Sequence, residues 1–321
     1  MVTNTTKTKN THPSLFPIPG VRHMRLIGCP MDLGADRRGV DMGPSAIRYA
    51  GISHRIRSLG HEFSDAGDVT VPLPETRRPG KGPKYLKEIH RACERLAKRV
   101  EQILDRNATP LVIGGDHSIA IGTITGVANH YRKNEQNIGL IWIDAHADMN
   151  IPETSPTGNI HGMPLSAVLG MGSPELVNLG GYAPKVRPEN VALIGIRDLD
   201  DAEKEIVRKS GIKAYTMRDV DELGMAKVMR EALSAVTNGT AGFHLSFDLD
   251  GLDPEIAPGV GTPVRGGIGF REAHLLMEMI SDSGRMIAME ATELNPILDT
   301  KNKTGELMVE LIASALGKRI L

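Results

Sequence analysis

The chain has 321 residues, of which 40% are apolar and 24% charged, an ordinary globular composition with enough length to bury a substantial core. A formal net charge of −1 gives no electrostatic basis for nucleic acid or an anionic membrane as a partner, and no apolar run approaches bilayer length. The two cysteines, Cys29 and Cys93, do not indicate a disulfide framework, so a reducing cytoplasm is the expected compartment.

Residues 1–22 are rich in Thr, Asn and Pro and lack apolar periodicity, which predicts a flexible tail. From about residue 24 the pattern becomes strand, loop, helix, repeated. Apolar runs predict strands at MRLIGCP, PLVIGG, IGLIWID, VALIGI, GFHLSFD and MIAMEATE. Helices are predicted over 84–105, 201–210, 225–236, 270–281 and 304–316, with Gly317 as a terminator of the last. The Pro-rich stretch 72–84 reads as a surface loop, because the same alternation continues on both sides. The expected fold is α/β: a mainly parallel sheet covered by helices on both faces, forming one domain over 23–321.

Polar motifs follow five of these strands directly: GGDH, DAHAD, RDLD, DLDGLDP and ATELNP. Sites in open α/β sheets form at the carboxyl ends of strands, so a single cleft is expected. In DAHAD, residues Asp144, His146 and Asp148 recur at every second position, as do Asp248 and Asp250 in DLDGLDP. Extended backbone aims alternate side chains the same way. With His117 of GGDHS they make four carboxylates and two imidazoles, a formal charge that matches two divalent cations and is too concentrated to bury without them. The set contains no thiolate and more oxygen than nitrogen, unlike a structural zinc site. Manganese fits it, and cobalt, nickel and iron remain open. Two such ions can supply a nucleophile at neutral pH.

The chain resembles the arginase/agmatinase (ureohydrolase) family, and within it the bacterial arginase type. The likeness runs from about residue 24 to 321 and includes GADRRGVDMGPSAIR, the three metal motifs, SPTGNIHG, RDLD, APGVGTP and ELNP. It implies an arginase-like three-layer α/β/α fold and two Mn2+ per subunit. His117, Asp144, Asp148 and Asp248 would hold the first ion, and Asp144, His146, Asp248 and Asp250 the second. The implied reaction hydrolyses L-arginine to L-ornithine and urea. Glu293 in TELNP matches the guanidinium-binding glutamate, Thr262 another pocket residue, and His161 in GNIHG the proton-shuttling histidine.

For the amino-acid end of arginine, Asn150, Thr157 and Asn159 match positions used around the α-carboxylate. Asp200 matches the carboxylate that recognises the α-amino group, with Glu203 assisting. Agmatine lacks the α-carboxylate and has no need of the complete set, so the expected substrate is arginine. Two rivals stand beside it: hydrolysis of agmatine or another guanidino compound, and a non-catalytic family member that binds metal or arginine. The resemblance also implies a homo-oligomer, a trimer or hexamer.

Overall fold

Among the described residues, six of the eight strands are the apolar runs expected from the sequence. In the computed structural model, which describes residues 20–80 and 82–319, they build the interior of one sheet. The predicted tail at 1–22 therefore lies outside the described residues up to residue 19. The strands are β1 (His23–Cys29), β2 (Glu62–Asp68), β3 (Thr109–Gly114), β4 (Asn137–Ile143), β5 (Val191–Ile196), β6 (Lys213–Thr216), β7 (Thr240–Asp248) and β8 (Met286–Thr292). Their order across the sheet is β2-β1-β3-β8-β7-β4-β5-β6, and every described pairing is parallel.

Alternation along the strands divides the core into two layers. Ile141 and Ile143 of β4 join one apolar cluster, with the helices Met225–Val236, Phe270–Ser283 and Lys303–Ala315. Leu140 and Trp142 join the other, with the helices Leu86–Leu104 and Ala120–Arg132. Helices thus cover both faces of a parallel sheet, the three-layer arrangement expected. Each fully buried Leu, Ile or Val contributes roughly 1.5–3 kcal/mol on leaving water. Among the described residues no helix is long and apolar enough to cross a membrane.

Two strands escape sequence reading, and both lie at the sheet's edges. β2 reads EFSDAGD and β6 reads KAYT, and several of their positions are exposed. An edge strand packs little apolar surface, so it carries no hydrophobic run to detect. The helix Ala120–Arg132 is missed for the opposite reason. Residues 120–128 are buried all round, so it shows no polar face against which a period can be read. It lies so close to the helix Leu86–Leu104 that a Cβ on Gly126 would meet the carbonyl oxygen of Ala97 at 2.5 Å.

Where β3 ends, Gly115 lets the chain press against the loop after β1. A Cβ there would stand 1.7 Å from the Met31 carbonyl oxygen, and the Gly115 amide donates to Cys29 O at 3.0 Å. Backbone on both sides cannot yield cheaply. Gly115→Ala is therefore expected to lower unfolding stability by about 3 kcal/mol, measured from the denaturant midpoint. An unchanged midpoint would show that the crossing relaxes freely.

Candidate metal centre

The five polar motifs sit at the carboxyl ends of β3, β8, β7, β4 and β5, which are consecutive in the sheet. After Gly115, Asp116 caps a short 3-10 turn, accepting from the Ser118 amide at 3.1 Å and from the Gly34 amide at 2.7 Å. The turn aims His117 into the cleft between β3 and its neighbours. Asp144, His146 and Asp148 follow β4, and Asp248 ends β7 just before Asp250.

Two groups of ligand-type atoms result, sharing one residue. His117 Nδ1 lies 3.1 Å from an oxygen of each of Asp144, Asp148 and Asp248. His146 Nδ1 lies 3.1 Å from Asp250 Oδ2 and 3.4 Å from Asp144 Oδ1. Asp144 presents Oδ2 to the first group and Oδ1 to the second, the disposition of a carboxylate placed between two cations. Asp248 joins the first group through Oδ2, while its Oδ1 accepts from the Asp250 amide at 2.7 Å.

His117, Asp144, Asp148, Asp248 and Asp250 are buried, so their charges press on one another. Burial alone would lower the pKa of His117, but Asp144, Asp148 and Asp248 overcome it and raise it well above the ordinary histidine value. Burial likewise lowers the pKa of His146, but Asp250 and Asp144 outweigh it and raise it well above the ordinary histidine value. Asp148 is pushed up to about 7 by burial and then by the charge of Asp144. Asp248 is raised by burial and by Asp250, and Asp250 by burial and by Asp144. Without cations, then, the folded cluster takes up more protons than the unfolded chain. Asp144 alone moves the other way, held below the ordinary carboxylate range by His117 and His146 against burial, which bears on stability only below about pH 4. Above that, raised pKa values on both His and on Asp148, Asp248 and Asp250 mean that stability of the metal-free protein falls as pH rises through 7 and above. Cations must displace these protons, so their occupancy at fixed concentration is expected to drop between about pH 8 and about pH 5.5. Equilibrium dialysis with metal analysis checks this; equal occupancy at both pH values would contradict it.

A cavity of about 210 Å³ opens from the cluster, lined by His146, Asp148, Asp248 and Asp250 at one end and by Asn150, Thr157, Asn159, Asp200 and Glu203 at the other. Thr262 lies on its wall and donates to Asp250 Oδ2 at 2.7 Å. Glu293 does not line the cavity itself but lies behind His161, which does: Oε1 accepts from the His117 amide at 2.9 Å and lies 3.2 Å from His161 Nδ1. That carboxylate raises the His161 pKa to about 9, against the lowering effect of burial. At the far end, Asn150 donates to Asp200 Oδ2 at 2.7 Å, and Asp200 also caps the helix Asp201–Ser210 through the Glu203 amide. Burial pushes Glu203 up to about 8. Every residue expected at the site therefore lines this cavity or contacts a residue that does.

Two of these residues hold left-handed backbone without being glycine: Asp148 at φ 53° and Glu293 at φ 65°. That conformation is uncommon outside glycine and costs on the order of 1–3 kcal/mol. Both carboxylates are thus placed by strained backbone, set by the surrounding fold.

Several site-building residues carry no ligand signature and were not singled out from sequence. Trp142 donates to Asp144 Oδ2 at 3.0 Å and stacks on His117 with ring centroids 4.1 Å apart. Ser246 Oγ lies 2.8 Å from His117 Nε2. The Arg197 guanidinium donates to the carbonyls of Asp250, Gly251 and Val264, tying the loop after β5 to two parts of the long connection after β7. Trp142 and Ser246 each stand two residues before a ligand-type Asp, so the period that flags Asp144 and Asp248 also points to them.

The family model described as the Arginase family matches residues 22–317. An arginase of Bacillus subtilis (strain 168) is 54% identical over 299 residues, covering 92% of this chain and 98% of that protein. The native structure of arginase from Bacillus caldovelox is 51% identical, with a TM-score of 0.89, covering 94% of this chain and all of the other. The structure of Entamoeba histolytica arginase in complex with L-ornithine is 31% identical, with a TM-score of 0.85, covering 93% and 99% of the two chains.

Proposed function

Because the chain belongs to the arginase family, we propose that it hydrolyses L-arginine to L-ornithine and urea with two Mn2+ per subunit. The observation that carries this reading is the cavity itself. It joins two carboxylate–imidazole groups sharing Asp144 to a distal wall of Asn150, Thr157, Asn159 and Asp200.

The donor set fits the cations: four carboxylates and two imidazoles on facing loops, with no thiolate. His117, Asp144, Asp148 and Asp248 would hold the first ion, and Asp144, His146, Asp248 and Asp250 the second. When bound, such a pair lowers the pKa of water enough to supply a nucleophile near neutral pH. The chain's own groups do the rest. Glu293 receives the guanidinium, which stays charged and needs an anionic partner, and Thr262 bounds its pocket. Hydrolysis forms a carbon–oxygen bond at the guanidinium carbon and breaks its bond to the side-chain nitrogen. His161, beside Glu293, delivers a proton to that departing amine.

At the other end, Asn150, Thr157 and Asn159 offer neutral donors to the α-carboxylate. Asp200 faces the α-ammonium. Glu203, whose Oε1 accepts from the Met149 amide, adds a polar neighbour. An amine without the carboxylate would leave these donors unused. The L-ornithine held by the Entamoeba enzyme has the same amino-acid end. Residues 23–321 form one catalytic domain in this reading, working in the cytoplasm as a trimer or hexamer.

Urea release by manganese-loaded protein, with L-arginine and agmatine assayed side by side, tests the assignment. A kcat/KM at least about 10²-fold higher for arginine is expected, since agmatine keeps the amine but leaves the donors around the α-carboxylate unpaired, which costs about 3 kcal/mol. Preference for agmatine would keep the metal chemistry and overturn the reading of the distal wall. Metal binding without turnover of any guanidino compound would favour a non-catalytic role.

A further inference from the structure

The turn that carries part of the distal wall is held from outside by two residues that do not line the cavity. Within the turn, Ser155 Oγ accepts from the Gly158 amide at 3.0 Å and Thr157 Oγ1 from the Asn159 amide at 3.1 Å. Both hydroxyl hydrogens are therefore left for an acceptor in the cavity, which Ser155, Thr157 and Asn159 all line. From outside, the Lys84 amide donates to Gly158 O at 2.8 Å, and Lys84 Nζ lies 2.7 Å from Asp36 Oδ1. Gly82 stands close as well: a Cβ on Gly158, whose φ is 72°, would meet its carbonyl oxygen at 3.3 Å. The Asp36 carboxyl is held below the usual carboxylate range, first by Lys84 and then, against burial, by hydrogen bonding to the Asn159 side chain.

We propose that the Asp36–Lys84 pair fixes the 155–159 turn and so sets how strongly the site holds the α-carboxylate end of its substrate. Neutral hydroxyl and amide donors give their full affinity only when already in place, because ordering them on binding subtracts from it. A turn built around Gly158 has little stiffness of its own. Lys84 restrains it twice. Its backbone amide holds the Gly158 carbonyl, and its ammonium holds Asp36, which takes one N–H of the Asn159 amide. That amide nitrogen carries two hydrogens, so the second stays available to the substrate. Asp36 is itself anchored two residues back. The Gly34 amide donates to the buried Asp116 Oδ2 at 2.7 Å, and the Gly34 carbonyl accepts from the His161 amide at 3.1 Å. The Pro-rich stretch 72–84, which the sequence marks only as a surface loop, thus ends on the substrate site.

The inference rests on the distal wall receiving an α-carboxylate. Asp36 and Lys84 are positioning residues, so binding is read apart from turnover. Manganese-loaded full-length protein is titrated with L-ornithine and with butane-1,4-diamine, its counterpart without the carboxylate. Wild type, Asp36→Ala, Lys84→Ala and the double variant are compared, with arginine kinetics and thermal unfolding alongside. The Asp36 side chain is 63% exposed, so its ion pair adds little to stability and the variants should unfold near the wild-type temperature. L-Ornithine should bind about 10-fold more weakly in either single variant, the worth of one hydrogen bond. KM for arginine should rise in step, with kcat within about 2-fold, while the diamine binds all four proteins alike. The double variant should lose no more than the single ones, because both residues serve one clamp. Lys84→Arg, which keeps a cation beside Asp36, should recover most of the affinity. Unchanged or tighter ornithine binding in Asp36→Ala would overturn the inference, since a purely electrostatic role predicts a gain when an anion leaves the carboxylate end. Equal losses for ornithine and the diamine, the mark of general loosening, would overturn it too. If wild type binds ornithine no better than the diamine, the reading of the distal wall itself fails and takes the clamp with it.

Discussion

Asp144→Asn is expected to bind at most one divalent cation per chain and to release urea at least about 10³-fold more slowly, equivalent to about 4 kcal/mol of transition-state stabilisation. Both oxygens of Asp144 are committed: Oδ2 to His117 and to the Trp142 indole, Oδ1 to His146 and its amide. Asparagine keeps one acceptor, turns the other into a donor and removes a charge from between the two groups. An amide nitrogen cannot face a cation, so one group must lose its shared ligand. Elemental analysis after dialysis, combined with a urea assay, measures both effects. Retention of two cations with turnover near wild type would remove Asp144 from its role between the groups.

The second large effect is expected at His161. His161→Asn should keep two cations and lose about 10²–10³-fold in kcat, the usual contribution of a positioned acid or base. Asparagine retains polarity and much of the volume but cannot exchange a proton near neutral pH. A structural role gives a different signature. The folded pKa of His161, about 9, lies above its unfolded value, so its pairing with Glu293 stabilises the fold fully below about pH 6.5. That stabilisation disappears as pH rises through 9. If His161 only pairs with Glu293, the variant loses stability at neutral pH, matches wild type at about pH 10, and turns over normally. A large fall in kcat with unchanged metal content separates the two roles.

The distal wall shows how local signals carry two meanings at once. Asp200 looks like a helix cap, and it is one, accepting from the Glu203 amide through Oδ1. Its other oxygen meets Asn150, 50 residues away, and faces the cavity. The capping signal is visible in sequence because it concerns three consecutive residues. The cavity-facing role depends on β4 and β5 being neighbours, which no short pattern reveals.

What the sequence determines by itself is whatever a short stretch of backbone can encode. Period-two alternation in IWIDAHAD and HLSFDLD aims the ligand-type residues to one side, and apolar runs identify the six inner strands. Edge strands β2 and β6, with little apolar surface to bury, and the wholly buried helix Ala120–Arg132 leave no such trace. The tertiary structure alone decides which strand ends become adjacent. It brings the His117 amide to Glu293, 176 residues away, and Ser246 to Glu290. It also forces Asp148 and Glu293 into left-handed backbone. The physical reason is one of range. Strand and helix periodicity is settled by sterics within a few residues, whereas strand order follows from burying two apolar layers together, a condition that only the whole chain can satisfy.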